Sequence, residues 1–542
     1  MYMRHLSFLL VPACAAWLGC GAGGEPGTSQ ELQDGQSHVG RDTTGGDGTW
    51  IDVPVTEGCS PDGGTPTGDT VLVTSTTRFH TAVGIAERID DLSASPPEVL
   101  VPNGAIFTRI TGSAVDGGYQ FSGVPSGAYY LKAGSSYVVT DERHVDIGSN
   151  RLGRPDTAFS TAAFSPVQLN LVGLAPWMPW QSNSVPGTAL QVTSKQVDLY
   201  GGVDILDMDP TGQTSIVSAG SQMWVGTGPM PVFEADKGDR IVVNQLQPMD
   251  AGTLPDGGAL AYTTVVRSLE MGALDFTPDG VTPMPITGVM QPVPMAEFPI
   301  EWRLPRYTAR ASEVHPTATP SLPYFYVTAA AHGLSDGWVG YSGELLTLQL
   351  PRGASYDFTR RLTYGNPFPS SWDAVGAVQY SFRTLQPIPG IPGGQSYLTG
   401  TFVTYDRLDN LVAQPLQPRV SPPRELSIDG VPASVAREVG TASPVISWLP
   451  PTLGSVGAYR VAIYRFDPET LSGGLSILRF YVPGSVTQVR LPAGSLASGN
   501  IYFLRVAAME SPGYDVERKP FTYGEPLPFS SAEAISSFFT TP

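Results

Sequence analysis

Apolar residues recur at every second position in short runs from about residue 70 to the end of the chain. Ile446 and Trp448 alternate ahead of Pro450-Pro451, and Tyr459, Val461 and Ile463 make the next run. Val489 and Leu491 precede Pro492, and Tyr502, Leu504, Val506 and Ala508 make a fourth, with Ser447, Arg460 and Arg505 on the opposite faces. An interval of two marks a strand with one buried side. Earlier runs are Val71-Leu72-Val73, Val99-Leu100-Val101, Ile106 to Ile110, Tyr119-Gln120-Phe121 and Tyr129-Tyr130-Leu131. Between them and the last four lie Val167 to Val172, Ile241-Val242-Val243, Tyr324 to Val327, Leu345 to Leu350 and Val378 to Phe382. Turn formers separate the runs. The pattern predicts an all-β chain of tandem β-sandwiches.

Two stretches carry more than periodicity. Asp116-Gly117-Gly118-Tyr119-Gln120-Phe121 leads through Ser122-Gly123-Val124-Pro125-Ser126-Gly127 to Ala128-Tyr129-Tyr130-Leu131. Tyr119 and Phe121 share one strand face, Tyr129, Leu131 and Ala133 another, and Val124-Pro125-Ser126-Gly127 turns the chain between them. Residues 70–156 thereby resemble the carboxypeptidase regulatory-like (transthyretin-like) module, which implies a non-catalytic accessory sandwich. Near the carboxyl end, the early-strand Trp448 is followed by the Tyr459 run. Leu491-Pro492-Ala493-Gly494-Ser495-Leu496 then leads into Gly499-Asn500-Ile501-Tyr502. Residues 419–542 resemble a fibronectin type III domain, with a longer, proline-rich approach to the last strand over Glu510 to Phe529. The resemblance implies that the Tyr502 hydroxyl returns to upstream backbone.

Residues 157–418 match no such pattern and read as an uncharacterised β region. Proline crowds 278–299, and because proline removes ladder donors this stretch is the expected linker or boundary if the region holds two sandwiches.

The amino terminus has an address of its own. Arg4 precedes an apolar run from Leu6 to Leu18, which is followed by Gly19-Cys20. Charge, length and the small-residue end fit a secretory signal over 1–19, too short to span a bilayer. Leu18-Gly19-Cys20 resembles the lipobox of bacterial lipoproteins, which implies acylation of Cys20 and anchoring in the cell envelope, with the outer membrane as the expected destination. Cys14 is a competing site. Residues 20–69, rich in Gly, Thr, Asp and Ser, read as a flexible linker.

Composition agrees. The 542 residues include 61 glycines and 51 prolines, and only 15% are charged, a poor mixture for helical bundles. The net charge of −18 repels phosphate backbones, so a nucleic-acid partner is not expected. With Cys14 in the signal and Cys20 directly after it as the lipidation candidate, Cys59 stands alone in a turn-rich segment without a nearby base.

Candidate chemistry is sparse. No paired-histidine zinc spacing or phosphate loop occurs, and no Gly-x-Ser-x-Gly elbow stands in a suitable context, so neither cofactor nor catalytic residue is expected. His38, His80, His144, His315 and His332 read as solvated or core-satisfied. Asp204, Asp207 and Asp209 offer clustered hard oxygens of the kind calcium takes, but Ser218 stands where an EF-hand loop begun at Asp207 needs glutamate. A glycosidase would require two carboxylates, for which Glu297, Glu301, Glu344 and Asp373 are candidates. Trp177, Trp180, Trp302, Trp338 and Trp372 are candidate sugar-stacking faces. Lys237-Gly238-Asp239 reads as an acidic turn. The expected protein is a membrane-anchored envelope lipoprotein of non-catalytic β-domains that binds an unidentified protein or carbohydrate. The alternative is a carbohydrate-active or carbohydrate-binding centre in the middle region.

Overall fold

The computed structural model describes residues 68–542 except 163, 227–228, 442 and 469–475. The signal, Cys14, Cys20, His38, Cys59 and the linker up to residue 67 lie outside the described residues. The chain is all-β, with three short α-helices and one 3-10 turn among its described elements. None of the described helices is long and apolar enough to cross a membrane.

The first unit is a sandwich of two facing sheets, with a separate three-stranded sheet of Asn150–Leu152, Thr76–Thr81 and Gly84–Ile89. Val71–Thr74 is flanked by His144–Asp146, parallel, and by Gly118–Phe121, which in turn pairs with Gly112–Val115. The facing sheet runs Ile106–Ile110, Glu98–Asn103, Tyr129–Ala133, Ser136–Thr140. The Val124 to Gly127 turn therefore carries the chain from one sheet to the other. Val71, Val73, Phe121, Val124, Tyr129, Leu131 and Val138 fill the space between them.

The next strands close on themselves. Phe164–Val172 pairs with Ser215–Val225, followed around the ring by Leu199–Ile205, Ala189–Ser194, Val242–Thr253 and Ala259–Glu270. Gln291–Pro292 pairs with the end of Ala259–Glu270, and Met284–Val289, just before it, returns parallel to Phe164–Val172. Leu169, Leu171, Ile216, Met223, Val243 and Ile286 form the core inside.

Beyond it, a sheet of Glu344–Gln349, Thr319–Ala329, Ala374–Pro387 and Gln395–Arg407 is covered by the two-stranded ribbon Met295–Arg303 and Asp357–Gly365. Passage from one middle unit to the other thus falls inside 278–299, but through paired strand and not through a linker. The prolines fit because Pro285, Pro292 and Pro299 are exposed, and Met295–Arg303 has a ladder neighbour on one side only.

The last unit has the two sheets of an immunoglobulin-like sandwich. One contains Val431–Pro432, Arg424–Ile428, Val445–Leu449 and Gln488–Arg490, the other Ser476–Pro483, Ala458–Phe466, Ile501–Glu510 and Phe529–Ile535. Trp448 meets Tyr459 edge-on at 5.2 Å. The Tyr502 hydroxyl accepts from Ala497 N at 2.9 Å and lies 3.1 Å from the same residue's carbonyl, to which it donates.

These units share ladders. Ser136 to Val138 of the first pairs in parallel with Arg479 to Tyr481 of the last. Phe402 to Tyr405 pairs with Phe529 to Ala532, and Thr263-Thr264 pairs with Leu346-Thr347. One continuous sheet therefore runs through all four units. At the first seam Tyr137 stacks on Phe480 at 4.7 Å, and Tyr130 meets the same ring edge-on.

Candidate functional site

The candidate acids do not converge. Glu297 and Glu301 lie on one face of Met295–Arg303, four residues and so about 13 Å apart, too far for the roughly 5–9.5 Å of a glycosidase pair. Arg361 pairs with Glu297 and Arg303 with Glu301. Asp373 is held by Arg407 at 2.7 Å. Glu344 lies elsewhere, accepting from Gln191 Nε2 at 2.9 Å and the Tyr200 hydroxyl at 3.0 Å. Burial raises its carboxyl above the ordinary range.

The aspartates likewise face separate donors. Asp207 accepts from Ser218 Oγ at 2.6 Å and from Ala219 N and Gly220 N, which hold its carboxyl low. Asp209 accepts from Thr211 N at 3.0 Å, an Asx turn. Burial raises the half-buried Asp204. Among the described residues no group of three metal-ligating side chains occurs; Asp204 lies on Leu199–Ile205, and Asp207 and Asp209 in the connection that follows it.

Four of the five tryptophans belong to the protein's own packing. Trp302 is fully buried under the ribbon, and Trp338 is buried edge-on to Tyr405 at 5.1 Å. Trp372 stacks on Phe368 at 4.9 Å, and Trp177 packs half-buried against the ring of strands. Period-two patterning shows that an indole lies on an apolar face without showing whether a second layer covers it, which is why Trp302 passes in sequence for a ligand platform, whereas Trp338 lies in a connection that has no strand pattern. Trp180 alone is open, at 51% exposure. Its loop also carries Asn183 and Ser184, which line a shallow groove with Leu322, Gln349, Leu350, Pro351 and Arg352.

The titratable groups that the sequence reading missed gather around residues 330–344, the connection between Thr319–Ala329 and Glu344–Gln349. Lys195 Nζ donates to the Ser342 carbonyl at 3.1 Å and stands 5.3 Å from the Phe368 ring centroid, and burial lowers its amine to about 7. Glu525 accepts from Asn150 Nδ2 at 2.5 Å, and its carbonyl accepts from Trp338 N at 2.7 Å. Burial raises that carboxyl to about 7. Gly340 and Gly343, both at positive φ, lie where a Cβ would run into Leu152 and the Gln191 amide respectively. This connection therefore touches the first, second and last units. Neither Lys195, in a polar run, nor Glu525, in a proline-rich one, carries a sequence signal of burial.

A serine and a histidine do meet. His315 Nε2 lies 3.2 Å from Ser537 Oγ, and Nδ1 lies 2.9 Å from Thr317 Oγ1. Yet His315 and Ser537 are 3% and 2% exposed, Ser537 is also within 2.8 Å of Gln386 Oε1 and the Ser434 carbonyl, and desolvation lowers the imidazole to about 4. The pair is sealed inside the core and joins the third unit to the last. Lys237-Gly238-Asp239 is a turn, as expected, but its Asp239 is fully buried against Arg154.

No family model matches the chain, and no curated protein matches it. Among solved structures, a crystal structure of chicken CNTN1 FN1-FN3 domains matches at 12% identity, covering 68% of this chain and 100% of that one, with a TM-score of 0.13. At that score the likeness does not bear on the fold, and the sandwich assignment of 419–542 rests on its strand order and on Tyr502.

Proposed function

We propose that the protein is a bacterial cell-envelope lipoprotein, held to a membrane by acylated Cys20, whose β-units act together as a non-catalytic binding scaffold. The observation that carries this reading is the shared ladder. A parallel seam at Ser136 to Val138 and antiparallel seams at Phe402 to Tyr405 and Thr263-Thr264 make one rigid body of units that sequence alone would string as beads. Rigid presentation of a surface needs such a body, and the acids and the Ser537–His315 contact serve ion pairs and core hydrogen bonds within it. Leu18-Gly19-Cys20, with its resemblance to a lipobox, supports the lipid, and several acyl chains would hold stably where one holds only marginally. Growth with an alkynyl palmitate tests the anchor: label incorporates into the native chain and the protein sediments with membranes, whereas Cys20→Ser is unlabelled and released. An unlabelled native chain overturns the anchor. Hydrolysis in a screen of polysaccharide substrates overturns the non-catalytic role.

A further inference from the structure

We propose that Tyr200 and Glu344 form a proton-coupled oxidation site, at which a diffusible one-electron oxidant of the carbonate-radical class leaves a neutral tyrosyl radical on Tyr200 and its phenolic proton on Glu344. This activity goes beyond the scaffold role and rests neither on a binding surface nor on the lipid anchor. The pair is built across two units. Tyr200 lies on Leu199–Ile205 of the second unit, and Glu344 opens Glu344–Gln349 of the third. The Tyr200 hydroxyl donates to Glu344 Oε2 at 3.0 Å, within the reach of a base that takes a proton. Gln191 Nε2 donates to the same oxygen at 2.9 Å. This close approach depends on Gly343, at φ +84, where a Cβ would run into the Gln191 amide. Both donors are neutral, and the burial that raises the Glu344 carboxyl makes it the stronger proton acceptor. Burial also lifts the Tyr200 hydroxyl well above its ordinary value, so the phenol meets an oxidant with its proton in place.

Charge balance favours loss of the electron and the proton together. An electron removed alone leaves a cationic phenol in a desolvated site, which is costly. When the proton crosses to Glu344 in the same step, the oxidant gains one electron, the O–H bond of Tyr200 breaks and a new O–H bond forms on Glu344. A carboxylate held among neutral donors then becomes a neutral acid, which relieves the desolvation penalty that the folded chain carries there.

Neighbouring rings connect the pair to the surface. Trp224 meets Tyr200 edge-on at 6.4 Å, Tyr200 meets Tyr341 edge-on at 4.7 Å, Tyr341 meets Tyr326 at 6.2 Å, and Tyr326 lies 5.7 Å from Tyr324. The Trp224 indole lies across Gly202, where a Cβ would strike it, and this holds the ring beside Tyr200. Trp224, Tyr324 and Tyr341 are partly exposed, whereas Tyr326 is buried. Electron transfer weakens steeply with distance, so rings in near contact pass a hole along where a single long jump is slow. An oxidant that meets Trp224 is one ring from Tyr200, and one that meets Tyr324 reaches it through Tyr326 and Tyr341. The hydrogen-bonded base makes Tyr200 the place where the hole settles.

Flash oxidation of the full chain with photoexcited tris(bipyridine)ruthenium(II) and persulfate tests the proposal, read by transient absorption and by electron paramagnetic resonance of frozen samples. The native chain is expected to give a tyrosyl radical whose formation slows in heavy water. Tyr200→Phe is expected to lose that signal. Glu344→Gln keeps a hydrogen-bonding side chain but not the base, and is expected to slow radical formation roughly a hundredfold, the lower end of what a positioned base contributes. Trp224→Phe is expected to delay the radical without changing its spectrum. A native radical that forms without a solvent isotope effect, a signal unchanged in Tyr200→Phe, or oxidation confined to the exposed Trp180 and Tyr397 overturns the proposal. The isotope effect is read on the native chain, so the outcome does not depend on the folding of any variant.

Discussion

Arg154 and Asp239 form a two-point ion pair between the first two units, Nε to Oδ1 at 3.1 Å and Nη2 to Oδ2 at 2.8 Å. Asp239 is fully buried and also accepts from Glu234 N at 2.8 Å. The same guanidinium reaches Asp156 at 2.7 Å and Glu234 at 2.7 Å. Removing the cation leaves a buried carboxylate without its counter-charge, a change that costs about 3–5 kcal/mol. Arg154→Ala is expected to lower the melting temperature, and Arg154→Lys, which cannot keep two parallel bonds, to recover only part of it. Calorimetry of the three proteins checks both.

Acidity enters through Glu525. Its carboxyl keeps its proton in the folded chain up to about 7, against an ordinary value of 4.5. Between those values the folded state holds the extra proton, so its contribution is present in acid and is lost as pH rises through about 7. Glu525→Gln is expected to be more stable than the native chain at pH 8 by on the order of 3 kcal/mol, with the advantage gone near pH 4. Denaturant titrations at the two pH values read the difference directly.

Lys195 runs the other way. Burial takes its amine from 10.5 to about 7, so the unfolded chain binds the extra proton between these values and stability rises with pH across them. Lys195→Met is expected to flatten that rise and to stabilise the protein at pH 7. A melting series from pH 7 to pH 10 on both proteins would show the slope vanish, and a slope that persists would assign it to another group.

Gly340 makes a steric prediction. A Cβ there meets Leu152, and φ is +70. Gly340→Ala is expected to cost roughly 2–3 kcal/mol from overpacking and backbone strain together. Adding Leu152→Ala removes the collision but not the strain. The double variant is therefore expected to be less impaired than the sum of the single ones, which a double-mutant cycle by chemical denaturation measures.

At the carboxyl-terminal sandwich, Tyr502→Phe leaves both Ala497 N and the Ala497 carbonyl without the hydroxyl that serves them. The expected loss is about 1–3 kcal/mol. Faster amide exchange at Ala497 than at Leu504 would localise it.

Much of this architecture is written in local pattern. Alternation at Tyr459, Val461 and Ile463 and at Tyr502, Leu504 and Val506 marks strands with their buried sides, and the turn at Val124 to Gly127 lies between strands of different sheets. The Tyr502 hydroxyl reaches Ala497 upstream, as the resemblance implied. Partner choice was less visible, because an interval of two shows which side is apolar without showing what covers the other. Tyr130 illustrates the gap. It lies between Tyr129 and Leu131 in an unbroken apolar run, the mark of a strand buried on both faces, and the neighbour on its far side proves to be Phe480. Trp302 was misread for the same reason, and the burial of Asp239 at the end of its turn was not visible because Arg154 is distant in sequence.

The seam between Ser136–Thr140 and Ser476–Pro483 also bears on how the protein behaves when crowded. Each strand would be an outermost one in its own sandwich, with a row of unused amides and carbonyls able to recruit a stranger's backbone into a growing fibril. Here each occupies the other, so the docking that stiffens the molecule also removes two nucleation templates.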